Sequence, residues 1–412
     1  MAKIDDSVKK KVPELRFKGF TDEWEERKLK DIAQFNPKTV LPDEFEYVDL
    51  ESVVGTEMIS HRTESKDQAP SRAQRLAQKG DVFYQTVRPY QMNNYLYDLP
   101  YDNYVFSTGY AQMRPNIDSY FLLNSVQNKQ FVQHVLDRST GTSYPAINSS
   151  DLSNIEIHVP SKLSEQQKIG AFFQSIDDTI AANQRKLDLL KEQKKGYLQK
   201  MFPKNGAKVP ELRFAGFADA WEEHKLGEML INLEAGVSVN SSDYETGYFI
   251  LKTSAIKQGT VDSFEVKSVV QEEVCKAKTP LIKNSIIISR MNTPELVGAS
   301  GLVRESIDNI FLPDRLWQGQ VAENFSSEWL IQSINIVSNI QKIRNLATGT
   351  SGSMKNISKK SILDLIINVP KLKEQKQIGS FLKQLDNTIA LHQRKLDLLK
   401  EQKKGFLQKM FV

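Results

Sequence analysis

An internal duplication constrains this chain of 412 residues more than any other feature. Residues 11–29 recur at 208–226 with 15 of 19 positions identical, and residues 184–202 recur at 393–411 with 18 of 19 identical. The residues between these anchors show almost no similarity. A period near 200 residues is far longer than that of a solenoid repeat. The sequence therefore predicts two copies of one domain-sized unit, with matching frames and different middles.

Charge follows the same division. The net charge of the whole chain is only +4, so a diffuse basic coat that would bind any polyanion is not expected. Two slightly acidic blocks alternate instead with short basic stretches. The predicted boundaries are an N-terminal tail 1–11, a first variable domain 12–160, a helical spacer region with linker 161–208, a second variable domain 209–370, and a C-terminal helical spacer region 371–412.

Each repeat ends in a predicted strand and a long helix. Apolar residues alternate with polar ones before Pro160 and Pro370, which is typical of a half-buried strand. Beyond each proline, apolar residues recur at alternating steps of four and three over more than four heptads, which favours a coiled coil. Two amphipathic helices packed separately on their own domains are the alternative. The predicted seam residues are Ile169, Phe173, Ile176, Ile180, Leu187, Leu190, Ile378, Leu382, Leu385, Ile389, Leu396 and Leu399.

Polar residues within the heptad pattern favour an antiparallel pair. A parallel, in-register pair would stack Lys194 on Lys403 in the apolar seam. An antiparallel pair sends these lysines to opposite ends and leaves Asn183 and His392 near the middle. The predicted fold class is therefore α/β (α+β), with two variable domains separated by a pair of long antiparallel helices and related by a pseudo-two-fold axis.

The sequence contains no recognisable catalytic or metal site. A Gly-Lys dipeptide is absent, which excludes a P-loop, and the five histidines lack metal-ligand spacing. The single cysteine, Cys275, excludes a disulfide framework and fits a reducing compartment. The apolar runs are far shorter than the ~20 residues that span a bilayer. With a charged start that lacks an apolar signal, these features predict a cytoplasmic protein without membrane contact.

Both variable blocks carry side chains suited to nucleic acid. Arginine can bind guanine edges, and asparagine or glutamine can bind adenine. A hydroxyl-rich loop at 348–353 lies in a stretch without acidic residues, which suits phosphate. For any single residue a solvated polar surface is the alternative. The candidate DNA contacts are Arg62, Arg72, Arg75, Lys79, Arg88, Tyr90, Gln91, Asn93, Thr140 and Thr142 in the first block, and Arg290, Asn292, Lys342, Arg344, Thr348, Thr350, Ser351, Ser353 and Lys355 in the second.

An ordered, duplicated set of motifs gives the chain a family resemblance. The set consists of Pro-Glu-Leu-Arg-Phe through Trp24-Glu25 and its copy at Trp221-Glu222, Lys79-Gly80-Asp81-Val82 before a strand, a Thr-Gly-Thr element in each copy, and Glu165-Gln166 or Glu374-Gln375 at the start of the long helix. With these motifs the chain resembles the specificity subunit of type I restriction-modification systems over essentially its whole length. The second copy has Asn284-Ser285 where the family usually has Gly-Asp, so the turn geometry there is a point to test.

The resemblance implies a non-catalytic reader of double-stranded DNA. Each variable block would be a target-recognition domain for one half of a bipartite, asymmetric site, and the paired helices would fix the spacing and carry two modification subunits. Those partners bind S-adenosylmethionine and methylate adenine at N6, and restriction (translocase-nuclease) subunits use ATP and Mg²⁺. The chain itself would bind no cofactor. A stand-alone duplicated DNA-binding regulator and a coiled-coil adaptor that touches no nucleic acid are the alternatives.

Overall fold

The computed structural model of this chain describes residues 12–204, 206–349 and 354–412. The predicted tail 1–11 and the candidate contacts Thr350, Ser351 and Ser353 lie outside the described residues. The chain divides into two compact units. The first unit comprises the residues up to Arg185 together with Arg394–Val412, and the second comprises Lys186–Gln393. Each long helix thus contributes one part of its length to each unit.

The first unit combines short strands with helices. Its elements are, in chain order, β1 (Glu25–Lys28), α1 (Leu29–Ile32), β2 (Ala33–Phe35), β3 (Glu44–Val48), β4 (Val53–Val54), β5 (Glu57–Met58), β6 (Arg62–Ser65), β7 (Ala73–Leu76), β8 (Val82–Gln85), β9 (Tyr95–Leu96), β10 (Tyr104–Ser107), β11 (Tyr110–Pro115), α2 (Ser119–Val126), α3 (Lys129–Asp137), α4 (Ser149–Ser153), β12 (Glu156–Val159) and the first part of α5 (Leu163–Lys200).

The second unit repeats this order with additional short strands. Its elements are β13 (Glu222–Lys225), α6 (Leu226–Met229), β14 (Leu230–Ala235), β15 (Ser241–Ser242), β16 (Phe249–Leu251), β17 (Ile256–Lys257), β18 (Gly259–Val261), β19 (Val266–Val269), β20 (Pro280–Leu281), β21 (Ser285–Ser289), β22 (Met291–Asn292), β23 (Ser300–Leu302), β24 (Ile307–Phe311), β25 (Leu316–Val321), α7 (Ser327–Asn335), α8 (Val337–Asn345), β26 (Lys355–Asn356), α9 (Lys359–Leu363), β27 (Ile366–Val369) and the first part of α10 (Leu372–Lys409).

The two variable blocks share one topology although their sequences do not align. In the first unit the sheet orders are β2-β11-β8-β9 and β6-β3-β10-β7, and in the second unit β14-β25-β21-β23 and β19-β16-β24-β20 run in the same order. The strand directions also match, because β3/β10 and β16/β24 are the parallel pair of their sheets and the other pairs in these orders are antiparallel. The duplication thus extends through the divergent middles.

The departure at Asn284 keeps the left-handed backbone of the turn. Asn284 has a φ of 61° and Gly80, at the same place before the central strand, has a φ of 95°. Asparagine is among the few residues that adopt this left-handed backbone readily. In the first unit Asp81 accepts a hydrogen bond from Gln78 N, and in the second unit the Gln318 side chain accepts the corresponding one from Ile282 N. A different side chain therefore holds the same turn.

A buried ion pair joins the start of each frame to the start of its long helix. Arg16 donates from Nε and Nη2 to Glu165 at 2.6 and 2.8 Å, and Arg213 donates to Glu374 at the same two distances. Glu165 and Glu374 are only 2 % and 1 % exposed. Trp24 Nε1 also donates to Glu165, at 3.4 Å. The arginine of the Pro-Glu-Leu-Arg-Phe motif and the glutamate of the Glu-Gln motif thus form one structural clamp.

The glutamine of each Glu-Gln motif connects the helix to two further elements. Gln166 Nε2 donates to Pro160 O at 2.9 Å, and its Oε1 accepts from Asp118 N just before α2. Gln375 repeats both bonds, with Pro370 O and Ser326 N as partners. The Glu-Gln motif therefore fixes three elements relative to one another: the end of β12 or β27, the start of α2 or α7, and the long helix.

The long helices pair in an antiparallel direction within each unit. In the first unit Lys403 Nζ lies 2.6 Å from Asp177 Oδ1, while Phe406 packs on Phe172 with ring centroids 5.0 Å apart. Residue numbers thus rise along α5 as they fall along α10. In the second unit Lys194 contacts Asp386 at 2.6 Å, and Tyr197 packs on Phe381 in the same sense. The predicted antiparallel direction is confirmed, and each seam lysine has an aspartate partner.

The predicted seam residues lie on the covered side of the helices. Near the helix starts, Ile169 and Phe173 belong to the same core as Trp24, so the helices also pack on their own domains. Burial in this seam raises the pKa of the Asp177 carboxyl, and the ion pair with Lys403 opposes that rise. Ile169, Phe173, Leu187, Leu190, Ile378, Leu382 and Leu396 are buried, and Ile176, Ile180, Leu385, Ile389 and Leu399 are half-buried.

Replacing Glu165 by glutamine should destabilise the first unit. Removing one partner of a buried ion pair leaves the other charge uncompensated, which costs roughly 3 kcal/mol of the free energy of unfolding. Urea unfolding followed by tryptophan fluorescence measures the change. Glu25→Gln is the matched control, because Glu25 forms an exposed pair with Arg27 and such pairs contribute about 0–1 kcal/mol. Equal midpoints for the two variants would contradict the role of the clamp.

A fragment of residues 209–412 should form a homodimer. The second unit is completed by the α5 residues from Lys186 onward, and these recur in α10 with Tyr197 replaced by Phe406 as the one difference up to Phe411. A second copy can therefore fill their place, with Lys403 opposite Asp386. Analytical ultracentrifugation should give twice the fragment mass. Lys403→Glu should shift the fragment toward monomer through like charges, whereas Lys404→Glu, at a more exposed position, should not.

Candidate nucleic-acid interface

Backbone hydrogen bonds gather several predicted DNA contacts of the first unit. Thr108 N donates to Arg72 O, Thr86 N donates to Gly109 O, and Ile147 N donates to Thr86 O, at 2.8 to 3.0 Å. Arg88 N donates to Pro145 O, and Thr140 exchanges two backbone bonds with Ala146. These links bring Arg72, Arg88 and the Thr-Gly-Thr element into one surface. We name it the first loop cluster, and define it as residues 72, 86–91, 108–109 and 140–147.

The candidates of the first block differ in their surroundings. Arg72, Tyr90, Gln91, Thr140 and Thr142 are exposed members of the cluster, and Arg88 is half-buried in it. Asn93 follows the cluster and accepts a hydrogen bond from Gly55 N at 2.8 Å. Arg75 is half-buried on β7, where burial lowers the pKa of its guanidinium.

The structure does not bring Arg62 and Lys79 to the first loop cluster. Arg62 lies on β6, where it forms ion pairs with Asp49 and Glu64 and stacks on Tyr47. Its charge is thus already neutralised within the domain. Lys79 is exposed before β8, whereas the cluster lies beyond the other end of that strand. The candidate cations of the first block are therefore not gathered on one surface.

Most tyrosines of the first block are core residues. Tyr84, Tyr95, Tyr97, Tyr104 and Tyr110 are buried, and burial raises the pKa of each of these phenols. In contrast, Tyr90, the tyrosine among the predicted DNA contacts, is 49 % exposed. Packing within the core of the domain therefore accounts for those five residues.

A matching cluster occupies the same place in the second unit. β22 pairs with β26, Arg290 N donates to Arg315 O at 3.0 Å, and Ile357 N donates to Arg290 O at 2.9 Å. Thr348 and Asn356 exchange two backbone bonds. By these bonds Arg290 corresponds to Thr86, and Asn292 to Arg88. We name this surface the second loop cluster, and define it as residues 290–292, 314–315, 344–349 and 355–357.

The cations of the second loop cluster are bound to carbonyl oxygens. Arg290 Nε donates to Asp314 O at 2.7 Å, Arg344 Nη2 donates to Glu295 O, and Lys355 Nζ donates to Gly349 O at 3.3 Å. Within the described part of the chain, no carboxylate forms an ion pair with any of these cations or with exposed Arg315. The positive charges of Arg290, Arg344 and Lys355 are positioned yet not neutralised, which is the state suited to a phosphate or a base edge.

Three further candidates of the second block have different surroundings. Asn292 is half-buried on β22, where its side chain donates to Ser289 Oγ at 3.2 Å. Thr348 is exposed in the cluster. Lys342 is exposed on α8 and lines a pocket of about 300 Å³ with Phe202 and Trp221, residues of the frame. The Lys342 side chain thus lines a pocket of the frame, although its carbonyl oxygen accepts a hydrogen bond from Leu346 N in the second loop cluster.

Two residues of the clusters were missed in the sequence. Arg315 is exposed and hydrogen-bonded through its backbone to Arg290, but it stands alone in the sequence, so no local pattern marks it. Tyr144 is 63 % exposed and lies under the Arg88 guanidinium, 4.6 Å from the ring centroid. It directly follows Thr-Gly-Thr-Ser, so its position next to that element was a usable signal.

Neither a metal centre nor a membrane span is found among the described residues. Histidine, cysteine, aspartate and glutamate side chains do not gather there in groups of three or more that could hold a metal ion. Among the helices described, none is both long and apolar enough to cross a membrane.

The family model of the type I restriction modification DNA specificity domain matches residues 21–192 and 218–401. Because these two matches cover most of the chain, the chain belongs to this family, and it carries the domain twice. It is similar to the type I restriction enzyme MjaVIII specificity subunit of Methanocaldococcus jannaschii, with 22% identity over 71% of this chain and 69% of that protein. It is also similar to the EcoKI specificity subunit of Escherichia coli, with 24% identity over 66% of this chain and 60% of that subunit.

Solved structures show the same fold. The type I restriction-modification system S subunit from M. genitalium matches with a TM-score of 0.64 at 14% identity, covering 97% of this chain and 99% of the other. A chain from a study of complex assembly and conformational transition of the type I R-M system matches with a TM-score of 0.52 at 21% identity, covering 94% and 97%. The predicted fold class, two mixed α/β recognition domains with a pair of long antiparallel helices, is confirmed.

Proposed function

We propose that this chain is the DNA-reading subunit of a type I restriction-modification complex. It recognises a bipartite, asymmetric site in double-stranded DNA, and it performs neither methyl transfer nor cleavage itself. The observation that carries the proposal is the pair of loop clusters, which occupy equivalent places in two copies of one fold but present different side chains. A reader of two unlike half-sites requires this combination.

The chemistry of the clusters supports DNA as the ligand. Arg290, Arg315, Arg344 and Lys355 hold positive charges without carboxylate partners among the described residues, and Arg88 does the same in the first unit. Charges of this kind bind phosphates and release counterions, and arginine and asparagine can also bind base edges. Arg88 and Asn292 occupy equivalent positions in the two units. Arginine favours guanine at such a contact, whereas asparagine favours adenine. The two half-sites are therefore expected to differ.

The frames suggest how catalytic partners are held. Two frames with nearly the same sequence and the same Arg–Glu clamp offer two equivalent surfaces, which suits two copies of one modification subunit. In this proposal S-adenosylmethionine is bound by those subunits, and ATP and Mg²⁺ by the restriction subunits. The complex acts on DNA in the cytoplasm.

Methylation with and without the partner tests the proposal. The purified chain alone should transfer no methyl groups and cut no DNA. Together with the modification subunit from the same host, it should produce N6-methyladenine in two short half-sites separated by a fixed gap, as mapped by single-molecule sequencing. Two results would contradict the proposal. One is methyl transfer by the chain alone. The other is tight, specific DNA binding by the chain alone together with no methylation after the modification subunit is added.

Lys355→Gln should weaken DNA binding by nearly the same factor on all sequences. Its ammonium group is the kind that contacts a phosphate, so its loss should reduce the slope of log Kobs against log salt by about one. Binding of the complex to cognate and non-cognate duplexes at several salt concentrations measures the slope. Lys79→Gln is the matched control, since Lys79 is equally basic but lies away from the first loop cluster. An unchanged slope for Lys355→Gln would exclude this contact.

A further inference from the structure

The turn between β8 and β9 has an unusual backbone. Arg88 and Met92 have φ values of 53° and 57° and flank the 3-10 turn Pro89–Gln91. This left-handed backbone is unfavourable for residues other than glycine, so such a residue persists where the surroundings impose the conformation. Two such residues in five positions mark the turn as one whose shape is held by the rest of the domain.

Side chains and loops hold this turn from several sides. Arg88 N donates to Pro145 O at 2.8 Å, and Gln127 Nε2 donates to Met92 O at 3.1 Å. Beneath the turn, Gln85 is 2 % exposed and donates from Nε2 to Gln91 Oε1 at 2.9 Å, while its N donates to Asn94 Oδ1. The turn is therefore fixed before any ligand arrives, which lowers the entropic cost of binding.

The Arg88 side chain is held but not neutralised. Its guanidinium lies over the Tyr144 ring, and its Nε is buried without a hydrogen-bond partner. In the described structure no carboxylate pairs with it. Arg62 stacks on Tyr47 in a similar way, at 4.7 Å, but is paired with two carboxylates. The two arginines thus share the stacking and differ in their free hydrogen-bonding capacity.

We propose that Arg88 reads a guanine in the first half-site. This inference rests on the proposed function and deepens it. A guanidinium fork fits O6 and N7 of guanine in the major groove, and a planar donor set fixed by an aromatic ring suits such a directional contact. A phosphate also accepts this fork, but a phosphate contact carries no sequence information, so its loss would leave the methylated motif unchanged. Tyr144 is the positioning residue, and Asn292 stands in the place of Arg88 in the second unit, so the guanine contact belongs to the first half-site.

Arg88→Lys in the full complex tests the inference. The variant keeps the charge but loses the fork, so one guanine in one half-site should become unspecified, with discrimination reduced roughly 5- to 150-fold. The other half-site should stay fully specified, which shows that the variant is folded and assembled. Methylome sequencing of cells that express the variant with the modification subunit gives both readouts. Tyr144→Ala should relax the same base to a smaller extent, and Tyr144→Phe should leave it specified.

The control variant and the possible outcomes separate failure of this inference from failure of the proposed function. Arg62→Lys, also a stacked arginine, should leave the motif unchanged. A wild-type motif without a specified G·C pair in either half-site, or one that Arg88→Lys leaves unchanged, would overturn the inference while leaving the proposed function intact. An equal loss of methylation at all sites with an unchanged motif would make Arg88 a phosphate contact. Absence of any methylated motif with wild-type protein and its partner would instead contradict the proposed function.

Discussion

The Arg–Glu clamp is the interaction on which the rest of each unit depends. Arg16 and Glu165 are 149 positions apart, and Arg213 and Glu374 are 161 apart, so each clamp encloses a whole variable block. A buried ion pair adds little net stability, because desolvation offsets most of the Coulomb attraction. Its effect is on geometry: a bidentate pair at 2.6 and 2.8 Å admits one arrangement of its two partners. The start of each frame and the start of its long helix are therefore joined in the same way in both copies.

A fixed frame explains how the middles could diverge without a change of fold. The left-handed turn before the central strand tolerates Gly80 or Asn284, and the hydrogen bond that holds it is accepted by Asp81 in one unit and by the Gln318 side chain in the other. The cores differ as well. Phe83 stacks on Phe106 in the first unit, whereas Ile287 packs with Leu251 and Ile310 in the second. Side chains that read DNA can thus change on a backbone that stays constant.

The sequence was most informative where the pattern is local and repeated. The heptad spacing predicted the seam, and Lys194 and Lys403 predicted the direction of the helices. What it could not predict depends on contacts between distant residues. Arg62 and Arg88 look alike in the sequence, and only the fold shows that Asp49 and Glu64 neutralise the first while Tyr144 supports the second. Likewise only the fold shows that Lys79 lies before β8, away from the first loop cluster, and that the Lys342 side chain lines a pocket of the frame.

The seam residues Lys194 and Lys403 select the register of the helix pair as well as its direction. Lys194 is 22 % exposed and Lys403 is 16 % exposed, and each is paired with an aspartate of similar exposure. A slip of one heptad between α5 and α10 would move each lysine by about 10 Å from its partner, at 1.5 Å per residue. Four half-buried charges would then lose their partners, while the apolar heptad positions would still face one another. The leucines and isoleucines therefore favour pairing in general, and the two Lys–Asp pairs select one register, as polar seam residues do in other coiled coils.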